Sequence, residues 1–252
     1  MESGLISLFF AALIAGAINS VAGGGSLISF PALIGFGVAS VPANATNTAA
    51  LWPGTLSSAF AYSKDTKLYR DLVLPLIIPS ALGGLLGAFV LVITPPELFD
   101  LIVPFLVLFA TLLFAFRDQF NRLFKLGGNE ESISALGRAW GFLFQLFVAT
   151  YGGYFGAGIG ILMLGSLSVM GLRDIHRMNG LKTILGTMIN AIAFFFFAIK
   201  GLVVWHLAIL MTIGTIIGGY VGARTAKRAD QRFIRAFVIA VGLFVSVWLF
   251  AK

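Results

Sequence analysis

Two runs of glycine interrupt an otherwise apolar chain, Gly23-Gly24-Gly25-Ser26 and Gly156-Ala157-Gly158-Ile159-Gly160, and each opens a short apolar segment, 24–36 and 158–170. A helix that starts there presents unpaired N–H groups and about half a positive charge at its first turn, and glycine lets a ligand approach the backbone. That chemistry suits an anion. A polar cluster follows each run: Asn44, Thr46, Asn47 and Thr48 in the first half of the chain, and Asn179, Lys182 and Thr183 in the second. Neutral amides and hydroxyls with one lysine fit an oxyanion better than a metal cation, which would draw on carboxylates. The candidate binding residues are therefore Gly23, Gly24, Gly25, Ser26, Asn44, Thr46, Asn47, Gly158, Gly160, Asn179, Lys182 and Thr183. Asn19, just before the first glycine run, and Trp52-Pro53-Gly54, a predicted kink, are lesser candidates.

Blander roles compete with these. Glycines in membrane helices commonly serve close packing, and that is the reading preferred for Gly83, Gly87, Gly218 and Gly222. Asn and Thr can bond to nearby carbonyls, and Lys182 is read equally as an interface anchor or as a substrate contact. His176 and His206 lie far apart without ligand-spaced partners, so no metal site is expected. There is no Walker A sequence, and the triple glycine has no soluble βαβ context, so neither ATP nor a dinucleotide cofactor is expected. No nucleophile, base and orienting group fall together, which argues against an enzyme.

The elements that must position these residues follow from composition. Of 252 residues, 59% are hydrophobic and 11% charged, and the mean hydropathy is +0.99. So few charges cannot cover a water-facing surface. No charged residue lies between Glu2 and Lys64, and shorter uncharged runs fill 72–96, 101–116, 139–172, 183–199, 201–223 and 236–251. About 20 apolar residues cross a hydrocarbon core roughly 30 Å thick, so these runs read as membrane-spanning helices. Residues 1–22 lack a basic leader and are kept as part of the fold. There is no cysteine, hence no disulfide or thiolate chemistry.

One offset of 135 positions maps the first half onto the second: Gly23 and Gly25 fall on Gly158 and Gly160, Asn44 and Thr48 on Asn179 and Thr183, Gly83 and Gly87 on Gly218 and Gly222. Each half holds five apolar segments: 4–22, 24–36, 41–62, 72–93 and 98–116, then 135–150, 158–170, 175–199, 202–223 and 233–251. Thr94 and Asp174 are the expected caps of the segments that follow them. The chain thus divides into a first transmembrane repeat (1–116), a linker (117–134) and a second repeat (135–252).

The net charge of +7 is not a nucleic-acid signature, because the basic residues sit in short connections. If all ten segments cross, every Lys and Arg except Lys182, Lys200 and Lys252 falls on one side, which the positive-inside rule makes cytoplasmic. Were the two short segments re-entrant, the basic residues of 224–235 would fall outside. Crossing is therefore favoured, and with five crossings per half the second repeat is inverted. The expected fold is all-α: a polytopic membrane protein of two inverted five-segment repeats, each with a short glycine-interrupted helix, a common plan in secondary transporters.

The stretch Asn19-Ser20-Val21-Ala22-Gly23-Gly24-Gly25-Ser26-Leu27-Ile28 with Pro31-Ala32-Leu33 and Pro42-Ala43-Asn44-Ala45-Thr46-Asn47 resembles the opening repeat of the sulfite exporter TauE/SafE family. Gly153-Tyr154-Phe155-Gly156 and Gly218-Gly219 through Gly222-Ala223-Arg224 are similar to its second repeat. Many relatives carry an acid at the position of Asn19, and often a lysine at that of Thr48. The resemblance implies a bacterial inner-membrane protein, basic loops cytoplasmic and both termini periplasmic, that moves sulfite or an organosulfonate such as sulfoacetate. The expected partners are a small anionic substrate and the lipid bilayer, with a homodimer allowed and no nucleic acid. A passive anion channel is the alternative reading.

Overall fold

Lipid offers no water to backbone N–H and C=O groups, so a chain this apolar folds by closing its hydrogen bonds within helices. The computed structural model describes residues 2–21, 23–61, 70–124, 135–170, 172, 175–225 and 231–251. Its elements are all helical: α1 (Glu2–Val21), α2 (Ser26–Gly35), α3 (Ser40–Ala61), α4 (Arg70–Ile93), α5 (Pro96–Ala115), α6 (Arg117–Phe124), α7 (Ala135–Tyr154), α8 (Ile159–Val169), α9 (Ile175–Ile199), α10 (Trp205–Thr225) and α11 (Gln231–Phe250). Ten of these match the expected segments within a few residues. The eleventh, α6, lies in the expected linker and rests against α8. Six helices among the described residues are long and apolar enough to cross a membrane: α1, α4, α5, α9, α10 and α11. The chain is a multi-pass membrane protein.

Four helices depart from that pattern. α3 and α7 have 22 and 20 residues but are more polar, and the polar residues of α3 are buried against protein. α2 and α8 have 10 and 11 residues, about 15–16 Å at 1.5 Å per residue, or half the hydrocarbon core. Helix ends are set locally. Pro96 opens α5 with Glu97 in its first turn, but Thr94 does not cap it: the hydroxyl donates back to Val90 O in α4 at 2.7 Å. Asp174 lies outside the described residues.

Without a hydrophobic drive between helices in lipid, association relies on close packing of small residues. Gly214, Gly218 and Gly222 of α10 press on α1, and Gly83 and Gly87 of α4 press on α7; a Cβ on Gly218 would strike Leu13 O, and one on Gly87 would strike Thr150 O. These contacts fix direction. Gly214 meets Leu13, Gly218 meets Ala17 and Gly222 meets Ser20, so α1 and α10 run parallel. Gly83 meets Ala149 and Gly87 meets Tyr154, so α4 and α7 also run parallel. Thr215 donates to Ala50 O, and Ser58 to Gly219 O, which sets α3 parallel to α10. Trp52, near the middle of α3, stacks on Phe194 in the C-terminal part of α9, while Ser58, further along α3, shares a cavity with Lys182, which comes earlier in α9. Those two helices are therefore antiparallel.

α5 and α11 close against each other in the antiparallel sense, through Phe105 with Phe250, Thr111 with Gly242, and Asp118 with Arg235. The Arg235 guanidinium also donates to Ala115 O, which pins the start of α11 to the α5–α6 junction.

Candidate functional site

The first glycine run ends α1. Gly23 has φ +83°, and its N–H donates to Ile18 O (3.2 Å) and Asn19 O (3.0 Å), closing the helix with a left-handed residue that a side chain would strain. In the second half Gly156 and Gly158 take the same region, at φ +78° and +75°, and the turn they form is braced by Tyr151, whose hydroxyl donates to Ala157 O at 2.7 Å. The two runs then meet. A Cβ built on Gly23 would lie 3.3 Å from Gly160 Cα, and one built on Gly160 would lie 3.4 Å from Gly23 Cα and 3.2 Å from Lys182 Cδ. A side chain at Gly23 would be strained by its positive φ, and one at Gly160 would require the Gly23 backbone and the lysine stem to give by a few tenths of an ångström.

A cavity opens beside this contact. Its walls are Asn19 and Ser20 at the end of α1, Gly23, Thr55 and Ser58 of α3, Ile159, Gly160 and Met163 of α8, and Lys182, Thr183, Gly186 and Asn190 of α9. About 40 Å³ is open to the centre of a water-sized sphere, where one ordered water needs roughly 10–15 Å³. It therefore has room for a few waters or one small oxyanion. Lys182 is 7% exposed and is the one charged residue among the described walls. A cavity whose described walls carry one positive charge among amides and hydroxyls favours an anionic guest, because a cleft lined by one sign of charge attracts the opposite sign.

The expected residues separate here. Gly23, Gly160, Lys182 and Thr183 come together around the cavity. Gly24 is buried against Phe114, Gly25 against Ala15 and Asn19, and Gly158 against Ala110 and Leu113, while Ser26 is half-buried at the start of α2. The expected α3 residues Asn44, Thr46 and Asn47 make protein contacts and are not among the cavity's walls. Asn47 Oδ1 accepts from the Ser29 hydroxyl at 2.5 Å, tying α2 to α3. Thr46 Oγ1 accepts from Val204 N–H at 2.9 Å, and Asn44 Nδ2 donates to Tyr154 O at 2.8 Å. Asn179 lies on α9 with its side chain outside the described residues.

Thr55, Ser58 and Asn190 were not among the expected binding residues. The repeat carried a signal for two of them, since Thr55 falls on Asn190 under the 135-position offset. Gln145 was also unremarked: its Nε2 donates to Ser80 Oγ (2.9 Å) and its Oε1 accepts from Ser166 Oγ (2.8 Å), so a satisfied polar network ties α8 to α4 and α7.

The family model for the sulfite exporter TauE/SafE matches residues 8–249. A Sinorhizobium protein named "Probable membrane transporter protein ORF9" is 29% identical over 98% of this chain and 92% of its own. A "Probable membrane transporter protein" of Haemophilus influenzae is 26% identical over 96% and 92%, and the Escherichia coli K12 "Probable membrane transporter protein YfcA" is 26% identical over 96% and 88%. No solved structure matches. With a family model covering the span from α1 to α11, the chain belongs to the sulfite exporter TauE/SafE family.

Proposed function

We propose that the protein is a secondary transporter that carries a small oxyanion, sulfite or an organosulfonate such as sulfoacetate, across the bacterial inner membrane by alternating access. The observation that carries this reading is the junction of Gly23 and Gly160 beside a small cavity that has Lys182 as the one charged residue among its described walls. Family membership supports the sulfur-oxyanion class. In this reading Lys182 compensates the anion's charge, Thr183, Asn190, Thr55, Ser58 and Asn19 offer hydrogen bonds to its oxygens, and the glycines let it reach the backbone.

The two halves act as inverted repeats. Support comes from the helix directions: α3 and α9, the third segments of the two halves, run antiparallel, while the first segment of each half runs parallel to the fourth of the other. Such halves can exchange conformations around a fixed site. The basic connections face the cytoplasm and both termini the periplasm. Flux into proteoliposomes loaded with sulfite, sulfoacetate or taurine tests the substrate class, with saturable exchange expected for at least one. No flux of any of them by folded protein overturns it, and flux that never saturates and shows no counter-transport favours a passive channel.

A further inference from the structure

The indole Nε1 of Trp52 is buried and has no hydrogen-bond partner among the described residues. A buried indole N–H usually finds an acceptor, because leaving one unmade forfeits its hydration. Trp52 is not free to turn toward one. Its ring stacks on Phe194 of α9 at 5.1 Å and 17° and meets the edge of Phe195 at 5.5 Å, while Phe194 in turn meets Trp205 of α10 at 6.2 Å.

The position of this stack gives the orphan donor a use. Trp52 is one helical turn from Thr55 on α3, and Phe194 one turn from Asn190 on α9; Thr55 and Asn190 both line the cavity. Because α3 and α9 are antiparallel, both steps lead the same way, to the end of the cavity away from Ser58 and Lys182. The other orphaned atom among the described residues, Asn44 Oδ1, is an acceptor on the same helix, but eight residues away, about 12 Å along the axis, and cannot reach the indole. Pro53, the next residue, has no N–H to give the helix, so the turn that carries Trp52 is held less tightly than its neighbours.

We propose that Trp52 is an anion-binding residue: its indole N–H donates to an oxygen of the oxyanion at the Thr55–Asn190 end of the cavity, opposite the charge of Lys182. This rests on the anion-site reading above and adds a donor to it. A donor-only group selects for an acceptor-rich guest and offers nothing to a cation.

Two measurements on the full-length protein in nanodiscs test it. The first is calorimetric titration of wild type and Trp52→Phe with sulfite and sulfoacetate. Trp52→Phe keeps the ring and removes the N–H, and a charge-assisted hydrogen bond implies a Kd about tenfold weaker. The second uses a variant in which Trp140, Trp205 and Trp248 are phenylalanine, so that Trp52 alone reports; its emission is expected to change saturably with the same anions. If the wild type binds and Trp52→Phe binds equally well, the inference falls whatever the emission does. If Trp52→Phe does not fold, emission from Trp52 that is blind to saturating anion overturns it instead. A wild type that binds none of these anions removes the site reading itself, and this inference with it.

Discussion

The cavity has a counterpart that is filled. Under the 135-position offset Asn19 and Ser20 fall on Tyr154 and Phe155, and Asn47 and Thr48 on Lys182 and Thr183. On one side, Asn19, Ser20, Lys182 and Thr183 border open space. On the other, Phe155 is 3% exposed with its ring edge on Phe30 at 5.3 Å, Tyr154 packs on Phe99 at 5.7 Å, and Asn44 and Asn47 are tied to Tyr154 O and Ser29. Positions related by the same offset thus border a polar, partly empty region in one place and an aromatic, packed one in the other. The difference lies in side-chain volume and polarity at four related positions. Lys182, the one lysine buried among the described residues, lies where there is room for a guest, and Asn47, 135 positions earlier, makes a structural bond.

The largest effect should come from the charge. Lys182→Gln removes the cation that compensates the anion and should lower kcat/KM for flux by about 100-fold, some 3 kcal/mol, with Lys182→Arg recovering part of it. Folded Lys182→Gln that transports like wild type would show that the open region is not the site. Next is the glycine junction. Gly23→Ala adds a Cβ at φ +83° and 3.3 Å from Gly160 Cα, and should cost about 1–2 kcal/mol of stability, read as a lower melting temperature, together with a clear loss of flux.

Asn47→Ala addresses the packed region. It removes the shorter of the Ser29 hydroxyl's two hydrogen bonds and leaves the one to Gly25 O at 3.1 Å; it should cost up to about 1 kcal/mol in denaturation while leaving anion Kd nearly unchanged. Thr183→Ala addresses the open region and is expected to raise KM by about threefold through a lost neutral hydrogen bond to the anion. If Asn47→Ala weakens binding and Thr183→Ala does not, the assignment of the two regions is reversed. Because the native chain has no cysteine, Ser58→Cys and Thr48→Cys give a last and smaller test: a small charged thiol reagent should label the first from the side of the basic loops, and the second slowly.

Much of the architecture was legible because membrane helices announce themselves one segment at a time. Long uncharged runs, glycine interruptions at matched positions and the constant offset are local or periodic features, and ten helices emerged close to the expected bounds. α6 was missed because eight residues of mixed polarity within a linker carry no transmembrane signal. The site was legible in part. Gly23, Gly160, Lys182 and Thr183 could be picked by type and repeat position, but so could Asn44, Thr46 and Asn47, which satisfy neighbouring groups. Residue type states what a side chain can donate or accept; it does not state which partner is nearest.

From sequence alone this protein was a helical, multi-pass membrane chain with two related halves and a resemblance to one family. Those conclusions rest on hydrophobicity, charge placement and glycine spacing, which act along the chain. Tertiary structure decided that the two glycine runs touch at Gly23 and Gly160, that Lys182 lies over that contact, and that Tyr154 and Phe155 fill what Asn19 and Ser20 leave open. These facts depend on how helices distant in sequence pack. In lipid that packing is set by the fit of small and large side chains across helix faces, which no single segment contains.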